Sequence, residues 1–205
     1  MRIAFFVSGN GSTFEHLVRA MRMEQMPAAP ALLLCSSKKA VALDRAKNLE
    51  IESRVVRRRD FLDTSEHADA LLNVLRESKI DAICLCGYME LVPPQVVTEF
   101  RHRIINIHPA LLPAFGGQGM FGRHVHEAVI AYGAKITGAT VHFVDEEYDH
   151  GPVLAQQALA VLPTDTPESL AVRVQEIEKS LYVGALRLFT KGRVKIDGRK
   201  VTILS

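Results

Sequence analysis

With 205 residues, 48% of them hydrophobic, the chain can bury one sizeable core, so a single domain over residues 1–205 is the expectation. The 25 Lys and Arg against 23 Asp and Glu leave a net charge of +2, too little for the broad basic field that holds nucleic acid. No stretch approaches the ~20 apolar residues of a membrane helix, and Arg2–Val7 is too short for a secretory apolar region, so a cytoplasmic protein with neither membrane nor nucleic-acid partners is expected.

Along the chain, strands and helices alternate. Arg2 to Val7 is a continuous apolar run ending in Ser8-Gly-Asn-Gly-Ser12, after which Phe14, Leu17, Val18 and Met21 form a helical stripe. Pro27 and Pro30 close that unit. Ala31 to Cys35 reads as the next strand, Leu43, Ala46 and Leu49 mark a helix, and Arg54 to Val56 a short strand. Ser65 caps a helix with Ala68, Leu71, Leu72 and Leu75 on its apolar face. Ile80 to Leu85 is a strand, and Pro93 and Pro94 open a short helix through Phe100. Arg103 to Ile107 reads as a buried strand, and Val125, Ala128, Val129 and Tyr132 as a helical stripe. From Gly138 the pattern turns to β, with Thr140, His142 and Val144 alternating against Val141 and Phe143, and Val153 to Val161 as an antiparallel neighbour. Pro167 starts a long helix to about Thr190, and a hairpin turns at Asp197-Gly198.

This order implies an α/β fold: a Rossmann-like, mostly parallel twisted sheet with helices on both faces, and an antiparallel C-terminal part. The front half, about 1–110, reads as phosphate-binding, and the back half, about 111–205, as completing the catalytic cleft. Cys35, Cys84 and Cys86 lie in apolar runs and read as small core residues in a reducing compartment.

Two constellations carry chemistry. The first is Ser8-Gly-Asn-Gly-Ser-Thr13, where glycines let backbone approach a ligand and the amides of Gly11, Ser12 and Thr13 meet a helix N-terminus. Lacking the third Gly of a dinucleotide loop and the Lys of a Walker loop, it suits a single phosphate; a tight turn without ligand is the plain alternative. The second is Asn106-Ile-His-Pro109, with Asn106 and His108 two apart on a strand and therefore on one side of it. An amide and an imidazole there suit a carbonyl on which negative oxygen forms. Asp149 is the preferred carboxylate to hold His108 protonated and help move a proton, with Glu146 and Glu147 as rivals.

Taken together, Ser8-Gly-Asn-Gly-Ser12, Gly87-Tyr-Met89, Asn106-Ile-His-Pro109, Leu111-Leu-Pro113, Gly138-Ala-Thr-Val-His-Phe-Val144 and Asp149-His-Gly-Pro152 resemble the glycinamide ribonucleotide formyltransferases over nearly the whole chain. The resemblance implies transfer of the formyl group of 10-formyltetrahydrofolate to the amine of 5'-phosphoribosylglycinamide in purine biosynthesis, without a metal. It implies that Gly11, Ser12 and Thr13 bind the substrate phosphate, that Met89, Glu90, Leu91, Val92 and Asn106 line the folate pocket, and that Asn106, His108 and Asp149 are catalytic. It also offers Glu178 as a substrate contact, a role that competes with a solvated helix face, and places His142 beside the site. A monomer or homodimer is expected. Alternatives are a formyltetrahydrofolate deformylase, another folate-dependent formyltransferase, and a non-catalytic phosphate-binding module.

Two departures from the family pattern stand out. The Gly-rich loop Phe115 to Gly122 is longer, and reads as a lid, an anion-contacting loop or a surface insertion. Ser65 stands near where many members carry a ligand-contacting Arg; the Arg57, Arg58 and Arg59 run just upstream is either a replacement or a solvated loop. His124 and His126, two apart on a helix, diverge and so make a poor metal pair.

Overall fold

The computed structural model describes residues 1–204, in two compact units, Met1–Ile105 and the residues from Asn106 on. The fold is α/β, with seven strands in a mostly parallel mixed sheet and a separate two-stranded antiparallel hairpin. In the first unit the elements run β1 (Arg2–Val7), α1 (Ser12–Met23), β2 (Ala29–Cys35), α2 (Ala42–Asn48), β3 (Glu52–Val55), α3 (Thr64–Glu77), β4 (Ala82–Leu85) and α4 (Pro94–Glu99), with a one-turn 3-10 helix at Arg58–Asp60. Strand order is β3-β2-β1-β4, all parallel. Residues 3–7 of β1 and all of β4 are buried, so both faces are covered, which is why these strands read as unbroken apolar runs rather than alternations.

Several elements depart from the sequence expectation. Pro30 lies inside β2, and the register with β1 slips there, Ile3 opposing Pro30 and Ala4 opposing Leu32. Proline has no N–H for the ladder, and the slip accommodates it. Helix α3 is capped by Asp63, whose carboxylate accepts from the Glu66 N–H at 2.9 Å; Ser65 is already inside the helix. The Glu66 side chain in turn accepts from the Leu62 N–H. The strand expected from Ile80 begins at Ala82, and the one expected at Arg54 begins at Glu52.

In the second unit β5 (Ile104–His108, entering from the first) is followed by α5 (Arg123–Tyr132), β6 (Ile136–Phe143), β7 (Val153–Ala160), α6 (Pro167–Thr190) and the hairpin β8 (Val194–Asp197) and β9 (Lys200–Ile203). Strands β6 and β7 are antiparallel, pairing Gly138 with Ala158 and Thr140 with Gln156. The core gathers Val129 of α5, Ala139 of β6, and Leu170 and Val174 of α6. All of β6 after Ile136 is buried, so its polar residues Thr140 and His142 are interior. Tyr132, expected on the apolar face of α5, is 82% exposed; His126 takes the buried place with Val125 and Val129. Helix α6 starts as expected at Pro167, with a Thr166 and Ser169 capping box.

Candidate active site

In the first unit, β1 runs into residues 8–13 and these into α1. The turn is fixed by the Ser8 N–H donating to the Gly87 carbonyl at 3.0 Å and by the Ser8 hydroxyl accepting from the Met89 N–H at 2.8 Å. Gly11 caps α1 in the left-handed region at φ 75. A Cβ on Gly11 would lie 2.6 Å from the Ala42 Cβ, so this glycine is required by packing against α2 as much as by its φ. Gly9, by contrast, has open space where a Cβ would stand. Arg45 pins the loop from α2, donating to the Asn10 carbonyl and side-chain oxygen and pairing with Glu15. Residues 8–13 with Cys86, Gly87 and Met89 line an open cavity of about 280 Å³. At its floor a helix N-terminus presents backbone N–H groups, an environment that favours an anion.

Of the residues expected against folate, Met89 and Leu91 are exposed, at 53% and 41%, whereas Val92 is buried in the core. Glu90 accepts from the Tyr88 hydroxyl at 3.1 Å and lies 3.8 Å from Nε2 of buried His67. Arg57 pairs with Asp60, and Arg58 donates to the Phe61 carbonyl, so two of the three upstream arginines serve their own loop.

In the second unit, Asn106, His108 and Asp149 converge. Asp149 Oδ2 is 3.3 Å from His108 Nδ1, and Asp149 Oδ1 is 3.6 Å from His142 Nε2. His142 joins the set through Asn106, whose Nδ2 lies 3.1 Å from His142 Nε2. His142 Nδ1 lies 2.8 Å from the Phe143 carbonyl, which only accepts, so Nδ1 carries a proton, while Nε2 faces both the Asn106 amide and Asp149 Oδ1. Sequence reasoning placed His142 beside the site but did not find this bond, since 36 residues separate the partners.

The Gly-rich loop is built into this cluster. The Phe115 carbonyl accepts from His108 Nε2 at 2.8 Å, and the Gly117 N–H donates to Asp149 Oδ2 at 3.0 Å. A Cβ on Gly116 would meet Leu112 Cδ2 at 2.5 Å and Asp149 Cβ at 3.2 Å, so the close approach favours glycine. The preceding turn, with a cis Leu112-Pro113 bond, is tied to β6 by Thr140. Its hydroxyl donates to the Ala110 carbonyl and accepts from the Leu112 N–H and the Gln156 amide.

Burial pulls the His108 imidazole below its ordinary range; Asp149 and the Phe115 carbonyl push it back up without reversing that direction. For Asp149, burial raises the carboxyl, but His142, His108 and the Gly117 N–H outweigh it and hold it below the usual carboxylate range. An ionised carboxylate therefore faces an imidazole whose Nε2 proton is committed to Phe115. A proton arriving at Nδ1 would complete a bond to Asp149, so the pair is poised to take up positive charge as negative charge forms nearby.

Glu178, on α6, is partly buried, and burial raises its carboxyl to about 7. His124 is exposed beside Glu127, whereas His126 is buried, so the two diverge as their spacing requires.

Residues 1–186 match the protein family described as formyl transferase. The chain belongs to the formyl transferase family. This formyl transferase is 34% identical over 186 residues to the phosphoribosylglycinamide formyltransferase of Bacillus subtilis, covering 91% of this chain and 93% of that one. It is 41% identical to the chloroplastic phosphoribosylglycinamide formyltransferase of Arabidopsis thaliana, covering 95% of this chain and 67% of that one. The crystal structure of glycinamide ribonucleotide transformylase 1 from Symbiobacterium toebii matches it with a TM-score of 0.94 at 35% identity, covering all of this chain and 94% of that one.

Proposed function

We propose that this formyl transferase moves the formyl group of 10-formyltetrahydrofolate to the amine of 5'-phosphoribosylglycinamide, in de novo purine biosynthesis. The observation that carries the reading is the convergence of Asn106, His108 and Asp149 in a chain similar to phosphoribosylglycinamide formyltransferases over nine-tenths of its length. Gly11, Ser12 and Thr13 take the acceptor's phosphate. Met89 and Leu91, exposed apolar side chains, and the backbone around Glu90 meet the folate; Val92 supports them from the core.

In the transfer, the acceptor nitrogen bonds to the formyl carbon and the bond from that carbon to the folate nitrogen breaks. One proton leaves the acceptor nitrogen and one reaches the folate nitrogen. Between these events the formyl oxygen is negative. Asn106, beside His142, donates an amide hydrogen to it, and His108, positive against Asp149 while the acceptor's proton is on its way to the folate nitrogen, faces the same charge. The ionised Asp149 also suits passage of the proton through a water. No helix among the described residues is long and apolar enough to cross a membrane; we place the enzyme in the cytoplasm, acting on small molecules as a monomer or homodimer.

The test pairs two assays. Formyl transfer is measured with both substrates, and formate release with the donor alone. Asp149→Asn is expected to lower kcat at least about a hundredfold while donor affinity, measured by calorimetry, holds. Rapid formate release without acceptor would replace transfer by hydrolysis, and near-normal turnover in Asp149→Asn removes that carboxylate from the chemistry.

A further inference from the structure

We propose that Arg199, at the tip of the C-terminal hairpin, is a positioning residue that holds Asp149 in place by gripping its neighbour His150. The inference rests on the reading of Asp149 as catalytic.

Asp149 sits in the loop joining β6 to β7, at φ 52. For a residue with a side chain that left-handed conformation is strained, so the loop needs ties that hold it there. At its base, the Phe143 N–H donates to the Pro152 carbonyl at 2.8 Å, and Gly151 lies so close that a Cβ would stand 1.9 Å from the Phe143 oxygen. Inside the loop, Asp145 accepts from the Glu147 N–H at 3.1 Å and lies 2.7 Å from His150 Nδ1. These ties are local. Two ties are long-range: the Gly117 N–H donates to Asp149 itself at 3.0 Å, and Arg199, from 49 residues away, donates to the His150 carbonyl at 2.6 Å and to His150 Nε2 at 3.1 Å.

The chemistry of this grip is one-directional. A guanidinium only donates, so His150 Nε2 must present its lone pair; the Asp145 carboxylate only accepts, so Nδ1 must carry the proton. One neutral tautomer alone satisfies both neighbours. His150 is thereby fixed on both ring nitrogens and on its carbonyl, one peptide unit from Asp149. The platform for Arg199 is stiff: the hairpin pairs Asp197 with Lys200 across a two-residue turn in which Gly198 has φ 57, and β9 packs on β7, the strand that leaves the same loop. The family match ends at residue 186, before this hairpin begins.

His150 is about half exposed. An exposed pair contributes little to global stability, so loss of the grip should register in turnover rather than in melting. A shift of about 1 Å in a reacting group costs up to about a hundredfold in rate. The experiment compares Arg199→Ala, Arg199→Lys, His150→Ala, the His150→Ala/Arg199→Ala double variant and Asp149→Asn, reading kcat, acceptor KM and Tm. Arg199→Ala is expected to lose about tenfold or more in kcat, with KM and Tm near those of the parent. Arg199→Lys recovers part of the loss, because an ammonium reaches one acceptor but not both. In the His150→Ala background, Arg199→Ala costs less than in the parent, since half the grip is already gone. Unchanged kcat in Arg199→Ala, with Asp149→Asn inactive, overturns the proposal, and so does a loss of kcat that only tracks a fall in Tm. An active Asp149→Asn instead overturns the reading of Asp149 on which the proposal rests.

Discussion

On α6, burial is the sole influence on Glu178, and it carries the carboxyl from its ordinary 4.5 to about 7. The folded chain therefore keeps a proton that the unfolded chain gives up between those values. Stability from this group is full below the unfolded value and lost as pH rises through the folded one. Removing the charge should help only where the charge exists. Glu178→Gln is expected to raise unfolding free energy by about 1–2 kcal/mol near pH 8, discounted for partial exposure, and to change it little near pH 5. Urea unfolding at both pH values checks this; an equal effect at both would show that the side chain's shape, not its ionisation, is at work. The same residue marks where sequence reading stops. Its place on a helix was legible from periodicity, but its burial depends on what packs beside it. Likewise Asn106 and His108 were legible together because two residues on a strand share a side, whereas the Asn106 to His142 bond and the Phe115 carbonyl on His108 arise from chain crossings that no local spacing encodes.

Elements show the same division through their glycines. Gly138 in β6 faces β7 so closely that a Cβ would stand 2.0 Å from the Gln157 carbonyl oxygen and 2.8 Å from Leu111 Cδ2. Gly184, inside α6, has nothing within 4 Å of the same added atom. The two should respond with opposite signs. Gly138→Ala is expected to destabilise by roughly 2–4 kcal/mol, as the strands must separate. Gly184→Ala is expected to stabilise by about 0.5–1 kcal/mol, because alanine has less backbone entropy to lose in a helix. Thermal melts of the two variants decide it, and a stable Gly138→Ala would mean that the strand pairing yields freely. Helix α6 was legible because Pro167, Thr166 and the apolar stripe all agree on where it starts. The cap of α3 is not fixed by local spacing, because Ser65 and Asp63 are both good caps, and only the Glu66 N–H bond decides between them. In β6 an apparent alternation concealed burial on both faces, since Thr140 and His142 are interior but bonded.

Across the whole molecule, buried histidines set the response to acid. His67 lies in the first unit, and His108 and His126 in the second, each at most 4% exposed. Burial is the leading cause in all three and lowers each imidazole; Arg58 adds to it at His67 and His108 adds to it at His126. Both ring nitrogens of His67 and Nδ1 of His126 lack a hydrogen-bond partner, and the Glu90 carboxylate, 3.8 Å from His67 Nε2, does not outweigh burial there. With folded values depressed, the unfolded chain takes up protons first as pH falls through about 6.5, and stability present above that value is lost on acidification. Glu178 opposes this, gaining stability as pH falls from about 7 toward 4.5. Three groups against one predict a net loss. Tm is expected to fall by several degrees between about pH 7.5 and 5.5, since about 1 kcal/mol moves Tm by roughly 2–4 °C at this chain length. Glu178→Gln should steepen the fall by removing the opposing group, whereas His67→Gln with His126→Gln should flatten it. Scanning calorimetry across that range tests the sign directly: a Tm that stays level or rises on acidification in Glu178→Gln would mean that these histidines take up protons in the folded chain as readily as in the unfolded one.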